Sequence, residues 1–174
     1  MKINKYHIFR KIGICVAIMV LYGPFIGNYA IAEGLQRIGQ NFQHVISFEP
    51  QEIGDVANHV IASYTHEGLV LVAKGDIGSG EVGTLINKGN LDYVGGLGTH
   101  SGYTTVTFED GSTTTSYYEG KSVQSEKGII SIGIHRYVSG TGRFEGIKGE
   151  GSYEGKHFGK MSLMYWKDTI ILPY

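Results

Sequence analysis

The chain has a single cysteine and three prolines among its 174 residues. Cys15 lies in an N-terminal segment that we expect to be removed, so the mature chain would have no thiol. This excludes disulfide bonds, a cysteine nucleophile and a cysteine-ligated metal from the mature protein. Its stability must therefore come from a hydrophobic core. Glycine, by contrast, is abundant, with 27 residues.

The N-terminus has the pattern of a secretory signal. Four basic residues precede an apolar run over residues 12–26, and Ala30-Ile31-Ala32 places small residues where a signal peptidase cuts. We expect cleavage after Ala32 and a secreted or periplasmic protein. An uncleaved anchor is the alternative, but the run is shorter than a membrane-spanning helix and is interrupted by Gly23 and Pro24.

Charge gives little sign of a polyanionic partner. Loss of residues 1–32 would remove four basic residues and no acidic ones, which moves the formal net charge from −1 to −5. No basic run remains, so we expect no nucleic-acid partner and no membrane partner after signal cleavage. The 142 residues left are enough for one domain with a sizeable core.

The pattern after the signal is all-β. Residues 33–42 lack a clear period and are expected to form a flexible leader. Residues 43–174 contain short alternating or β-branched runs separated by glycine and asparagine clusters, and no long helix fits. About eight strands can be counted. We predict a single antiparallel eight-stranded β-barrel of the calycin-like kind, whose interior holds side chains or one small ligand.

Two strand pairs are the clearest. Residues 103–119 form a hairpin rich in Thr and Tyr, with Asp110-Gly111 in its turn. Residues 147–156 alternate sharply, which sends charged side chains outward and Gly149, Gly151, Tyr153 and Gly155 inward. The three inward glycines are expected to leave space in the lumen.

A glycine-rich segment between the last strands carries a family resemblance. Residues 138–149 read Val-Ser-Gly-Thr-Gly-Arg-Phe-Glu-Gly-Ile-Lys-Gly. This resembles the Gly-Gly-x-Gly-x-Phe-x-Gly-x-x-Gly segment of allene oxide cyclases, and dirigent proteins share a similar Gly-Thr-Gly-x-Phe pattern. More faintly, residues 45–49 resemble the first cyclase strand, which ends in glutamate, and Gly54-Asp55 with Asn58 resembles the loop that follows it.

The resemblance implies a barrel that holds an apolar ligand and works without a cofactor. The cyclases confine a flexible epoxide so that ring closure has one outcome, with a carboxylate near the developing charge. Glu49 matches that carboxylate and is the candidate catalytic residue, and Asn58 is a candidate ligand-binding residue. Gln51 stands where the plant enzymes have asparagine, and their cavity cysteine has no counterpart in the mature chain.

Further candidates come from the strand faces. His135 and Tyr137 share one face of their strand and Tyr153 points inward, so these three are expected to line the cavity. The six histidines after residue 32 are scattered without the short spacings of zinc sites, so no metal is assigned. Gly78-Ser79-Gly80-Glu81-Val82-Gly83 matches a dinucleotide fingerprint, but no helix follows it, and a glycine-rich turn is the preferred interpretation.

Three functional hypotheses remain. The first is a cofactor-free barrel that binds a small apolar molecule, with an isomerase or cyclase as its catalytic form. The second is a carrier without catalysis. The third is an extracellular interaction module that uses the hairpin over residues 103–119, since exposed tyrosines suit interfaces. Barrels of this type can associate through their outer faces, so a homo-oligomer is left open.

Overall fold

The protein is an all-β barrel in a computed structural model that describes residues 34–126 and 128–173. The predicted signal peptide lies outside the described residues. Eight strands run through the described part, and every neighbouring pair is antiparallel. In chain order they are β1 (Leu35–Glu52), β2 (His59–Gly75), β3 (Val82–Val94), β4 (Leu97–Phe108), β5 (Thr113–Ser125), β6 (Gly128–Gly140), β7 (Lys148–Phe158) and β8 (Met161–Ile171).

The barrel closes through pairing of the first and last strands. β1 pairs with β8 from Leu35↔Ile170 to His44↔Met161. Each of the eight strands therefore has a paired strand on both sides. The predicted fold class is confirmed.

β1 is longer than the sequence pattern indicated. It begins at Leu35, so residues 35–42 of the expected flexible leader are strand, with Arg37 and Gly39 facing inward. The pairing of β1 with β8 ends at His44, and a bulge follows between Val45 and Ser47. Beyond the bulge β1 continues to Glu52 along β2, outside the eight-stranded wall.

One end of the barrel is filled by apolar side chains. A short 3₁₀ turn (Gly142–Phe144) between β6 and β7 carries Phe144, whose side chain is fully buried. It packs with seven other buried side chains: Val70, Val72, Leu85, Phe108, Ile147, Trp166 and Ile170. Arg143 lies over the rings of Phe108 and Phe144 and pairs with Glu81. The glycine-rich 138–149 segment therefore forms the plug of the closed end.

Candidate functional site

The barrel encloses a cavity of about 490 Å³. Residues from all eight strands line it, and at one end it includes the exposed β7–β8 turn residues Gly159 and Lys160 together with Phe48. We call this end the mouth. The opposite end is covered by the Phe144 plug. A cavity of this size holds a small organic molecule.

The walls combine apolar groups with neutral hydrogen-bonding groups. Valines, Phe108, Met164 and Trp166 supply apolar surface, while tyrosines, histidines, serines and amides supply polar atoms. Among the described lining residues the charged ones are Arg37 and Lys160, and no acidic residue is among them. Arg37 is buried and Lys160 is exposed at the mouth.

A buried charged cluster lies near the closed end. The Arg37 guanidinium donates to both carboxylate oxygens of Asp168, with Nε–Oδ1 at 3.2 Å and Nη2–Oδ2 at 3.0 Å. The Tyr137 hydroxyl donates to the same carboxylate, and His135 Nε2 lies 3.6 Å from it. Both side chains of the Arg37–Asp168 pair are almost fully buried, at 3% and 0% exposure. Such a pair is stable only when its charges are well matched.

The cluster holds its members in defined protonation states. Burial alone would raise the pKa of Asp168, but the neighbouring His135 and the Arg37 guanidinium outweigh it and lower that pKa. Burial raises the pKa of the Tyr137 hydroxyl well above its ordinary value. Arg37 also lies over the rings of Tyr137 and Trp166, at 5.6 Å from each centroid. The carboxylate is thus ionised and the phenol protonated.

Pairs of aligned glycines allow interior side chains to lie flat across neighbouring strands. Gly89 of β3 is opposite Gly102 of β4, and Tyr118 of β5 reaches over both to meet Tyr64 of β2. The two phenol oxygens are 2.7 Å apart. A side chain at either glycine would occupy the space of the Tyr118 hydroxyl.

A second pair of glycines repeats this arrangement. Gly120 of β5 is opposite Gly133 of β6, and Tyr153 of β7 extends over both toward His100 of β4. His100 Nε2 lies 2.8 Å from the Tyr153 oxygen.

Likewise, a Cβ at Gly151 of β7 would meet side-chain atoms of both His135 and Asp168. Glycine pairing therefore brings polar groups from separated strands into contact.

Two hydrogen-bond chains run along the wall. One joins the Tyr64 and Tyr118 hydroxyls to the amides of Asn87 and Gln43, with His66 at its end. The other joins Tyr153 and His100 to Tyr93 and continues toward the mouth through Ser122, Ser131 and His157.

Burial lowers the pKa of both His66 and His100 to about 4, so both imidazoles are neutral at pH 7.

The structure brings three of the five predicted site residues together in the cavity. His135, Tyr137 and Tyr153 all line it. Glu49 lies on the extension of β1 beyond the bulge, where it is exposed and accepts a long 3.4 Å hydrogen bond from Ser63. Asn58 is exposed in the β1–β2 turn with φ +61°. Neither of the last two is among the lining residues.

The inward glycines of β7 were expected to leave free space. The structure instead fills it with neighbouring side chains, because a Cβ at Gly151 would meet His135 and Asp168, and one at Gly155 would meet Met164. The glycines thus serve close packing of the lining side chains.

The Arg37–Asp168 pair was not predicted from the sequence. Arg37 fell in the expected leader, and Asp168 stood alone in a mostly apolar last strand. The alternation of β8 could have indicated that Asp168 faces inward, since it shares that face with Met164, Trp166 and Ile170. A carboxylate on an inward face requires a partner, but the sequence did not indicate which cation supplies it.

The described residues show no group of three or more His, Cys, Asp or Glu side chains placed to hold a metal ion. Within residues 34–126 and 128–173, no helix is both long and apolar enough to cross a membrane.

Comparison with known proteins relates the chain to others through its fold. No family model matches the sequence, and no curated protein matches it. A conserved protein of unknown function from Rhodopseudomonas palustris superposes with a TM-score of 0.55 at 12% identity, covering 79% of this chain and 97% of that one. A pterocarpan synthase dirigent protein superposes with a TM-score of 0.51 at 12% identity, covering 88% of this chain and 99% of that one.

These likenesses define the class of the fold. The chain is a closed antiparallel eight-stranded barrel, and this architecture is similar to that of a dirigent protein. At 12% identity the similarity concerns the fold alone. What this barrel does must be argued from its own residues.

Proposed function

We propose that the barrel binds a small, largely apolar molecule in its lumen. The observation that carries the proposal is the 490 Å³ cavity, which has apolar walls, neutral polar groups, one plugged end and a mouth. Apolar contact supplies affinity in such a site, while a few polar atoms fix orientation. A carrier without catalysis requires no more than this.

The catalytic form of the proposal is a cofactor-free isomerase or cyclase that steers a reactive intermediate. The fold likeness to a pterocarpan synthase dirigent protein supports this form. Confinement in one conformation can by itself accelerate a ring closure. The buried Tyr137–Asp168–Arg37 cluster adds a fixed pair of charges next to the lumen, with the Tyr137 hydroxyl donating to the carboxylate.

Glu49 is the competing candidate for the catalytic carboxylate. It is supported by the family resemblance, whereas Asp168 is supported by burial beside the cavity. The paired variants Glu49→Gln and Asp168→Asn separate the two in a turnover assay on an identified ligand. Loss of turnover in an Asp168→Asn protein shown to be folded, together with retained turnover in Glu49→Gln, assigns the lumen cluster. The reverse pattern assigns Glu49.

The first experiment is native mass spectrometry of the mature protein recovered from the secreted or periplasmic fraction of its own host. A stoichiometric apolar compound, released on denaturation, is the expected result. It would also give the turnover assay its substrate class. An empty barrel from several growth conditions would contradict the lumenal proposal. Recovery of a chain that begins at Glu33 would support the proposed signal cleavage.

A second candidate function is supported by the outer face of the β4–β5 hairpin. Tyr103 is 53% exposed and its ring lies 5.3 Å from that of Tyr117, over which Arg136 is placed at 4.7 Å. Aromatic and arginine side chains are enriched at interfaces. We propose this Tyr103–Tyr117–Arg136 surface as the contact site if the protein is an interaction module or a homo-oligomer. Tyr103→Ser would then reduce partner binding without changing lumenal ligand content.

A further inference from the structure

The hydrogen-bond chain that ends at Tyr153 has a direction. Ser122 Oγ donates to the Tyr93 oxygen at 2.7 Å. The Tyr93 hydrogen is then free to be donated to His100 Nδ1, which lies 2.8 Å away, when His100 is the Nε2–H tautomer. His100 is neutral because burial lowers its pKa to about 4. A neutral imidazole that accepts at Nδ1 carries its hydrogen on Nε2.

This direction determines what Tyr153 does. In that tautomer His100 Nε2–H donates to the Tyr153 oxygen, which lies 2.8 Å away. The Tyr153 hydroxyl hydrogen then needs an acceptor, and among the described residues none other than His100 is within hydrogen-bond distance of that hydroxyl. Burial raises the pKa of this phenol, so the hydrogen is retained. Tyr153 lines the cavity and is thus an unused donor within it.

In the other chain, both tyrosine hydroxyl hydrogens already have acceptors within the barrel wall. Tyr118 donates to Asn87 Oδ1 at 2.7 Å, so the Tyr64 hydrogen goes to the Tyr118 oxygen. Asn87 Nδ2 in turn donates to Gln43 Oε1 at 3.1 Å. The Tyr64 hydroxyl is therefore a matched comparison for Tyr153. Tyr64 is also a tyrosine that lines the cavity, but its hydroxyl hydrogen already has an acceptor.

We propose that His100 is the Nε2–H tautomer and that the Tyr153 hydroxyl is therefore the donor that binds and orients the lumenal ligand. The ligand is a mainly apolar molecule with an oxygen acceptor such as a carbonyl. The inference rests on the proposed lumenal function. A donor without a protein acceptor favours a ligand that pairs with it and disfavours a pure hydrocarbon of the same shape. The Gly120 and Gly133 pair is what allows this phenol to reach His100.

The test uses two fluorescent probes of similar shape. Prodan is a neutral naphthyl ketone whose emission moves to the red when its carbonyl accepts a hydrogen bond, and its propyl analogue has a methylene in place of the carbonyl. Wild-type protein should bind prodan about three- to ten-fold more tightly than Tyr153→Phe does, the usual effect of one hydrogen bond. The analogue should bind Tyr153→Phe at least as tightly as wild type, because the variant has no donor to bury unpaired. Bound prodan should emit further to the blue in Tyr153→Phe than in wild type.

Tyr64→Phe is the control, since it removes a hydroxyl whose hydrogen is already used; the emission maximum of bound prodan should match that of wild type. An equal loss of affinity for both probes in Tyr153→Phe would overturn the inference and leave lumenal binding intact. Failure of both probes to bind wild type would instead contradict the proposed function itself, and the donor assignment with it.

A measurement on wild type keeps the inference testable if the variant misfolds. Nitrogen NMR of labelled protein at neutral pH reports which ring nitrogen of each histidine carries hydrogen. His100 should be the Nε2–H tautomer. Hydrogen on Nδ1 would reverse the chain, give the Tyr153 hydrogen an acceptor in His100 and overturn the proposal.

Discussion

The hydroxyls of Tyr64 and Tyr118 meet at 2.7 Å although β3 and β4 lie between their strands. They meet because Gly89 and Gly102 leave the inner face of those two strands bare. The cavity wall is thus made of side chains that lie across the barrel interior and not only of side chains that point into it. Glycines in the strands are a condition for each such contact.

The first prediction concerns this glycine pair. Gly89→Ala places a methyl group against the Tyr118 hydroxyl and within 2.6 Å of the Tyr64 oxygen. The overpacking should destabilise the protein by about 1–3 kcal/mol, measured by urea unfolding. In a Tyr64→Phe, Tyr118→Phe background the same substitution should cost less, because both oxygens are gone. An equal cost in both backgrounds would show that the clash lies with the backbone.

The second prediction concerns the Arg37–Asp168 pair. Asp168→Ala leaves a buried guanidinium without its anion and should destabilise the fold by about 3–5 kcal/mol. Replacing both residues, by Arg37→Met with Asp168→Leu, should recover most of that loss, since no charge remains to be buried. Chemical unfolding of the single and double variants checks this. A double variant as unstable as the single one would show that the charges themselves stabilise the closed end.

The third prediction is a loss of stability in mild acid. His66 and His100 have a pKa of about 4 in the folded protein and bind protons near pH 6.5 when unfolded. Between these values the unfolded chain binds more protons, so stability is greatest above pH 6.5 and falls as pH drops toward 4. The loss is up to about 3 kcal/mol for each histidine.

Unfolding midpoints measured across this pH range check the prediction. His100→Gln should flatten the acid loss because one of the contributing groups is absent; His157, whose pKa burial also lowers, adds to the loss with the same sign. His59 has the opposite sign: its hydrogen bonds to the carboxylates of Asp55 and Asp92 raise its pKa. Its contribution is present in acid and is lost as pH rises through that raised pKa, so His59→Gln should steepen the acid loss. A His100→Gln profile as steep as that of wild type would contradict the assignment.

The fourth prediction concerns the plug. Phe144 is fully buried among the apolar side chains at the closed end. Phe144→Ala should cost about 3–5 kcal/mol by thermal or urea unfolding, as for other buried aromatic residues. Glu145→Ala, at the exposed neighbouring position, is the matched control and should be close to neutral. Similar losses in both variants would indicate that the turn, and not the aromatic core, holds the closed end.

The inward-facing site residues of β6 and β7 could be predicted from the sequence, whereas the position of Glu49 on β1 could not. Alternation over residues 147–156 correctly sent Tyr153 inward, and the face of β6 shared by His135 and Tyr137 also faces the lumen. The resemblance drew attention to Glu49, which the structure places on an exposed extension of β1. Glu49 lies beyond the last β1–β8 pair at His44 and beyond a bulge between Val45 and Ser47, and the sequence carries no clear signal for that bulge.

The sequence by itself determined the class of fold. Period-two alternation, closely spaced turns and the absence of a long helix pattern leave an antiparallel β-structure as the solution that buries its apolar face. The same alternation assigned individual residues of β6 and β7 to the lumen, because side-chain direction in a strand is a local property.

Only the tertiary structure decided which residues meet. Arg37 and Asp168 are 131 positions apart, and Tyr64 and Tyr118 are 54 apart. Their contacts arise from barrel closure and strand register, which depend on all eight strands at once. Burial then sets the protonation states, since the same imidazole or phenol would titrate normally in water. The chemistry of the lumen is therefore a property of the closed barrel and not of any one segment.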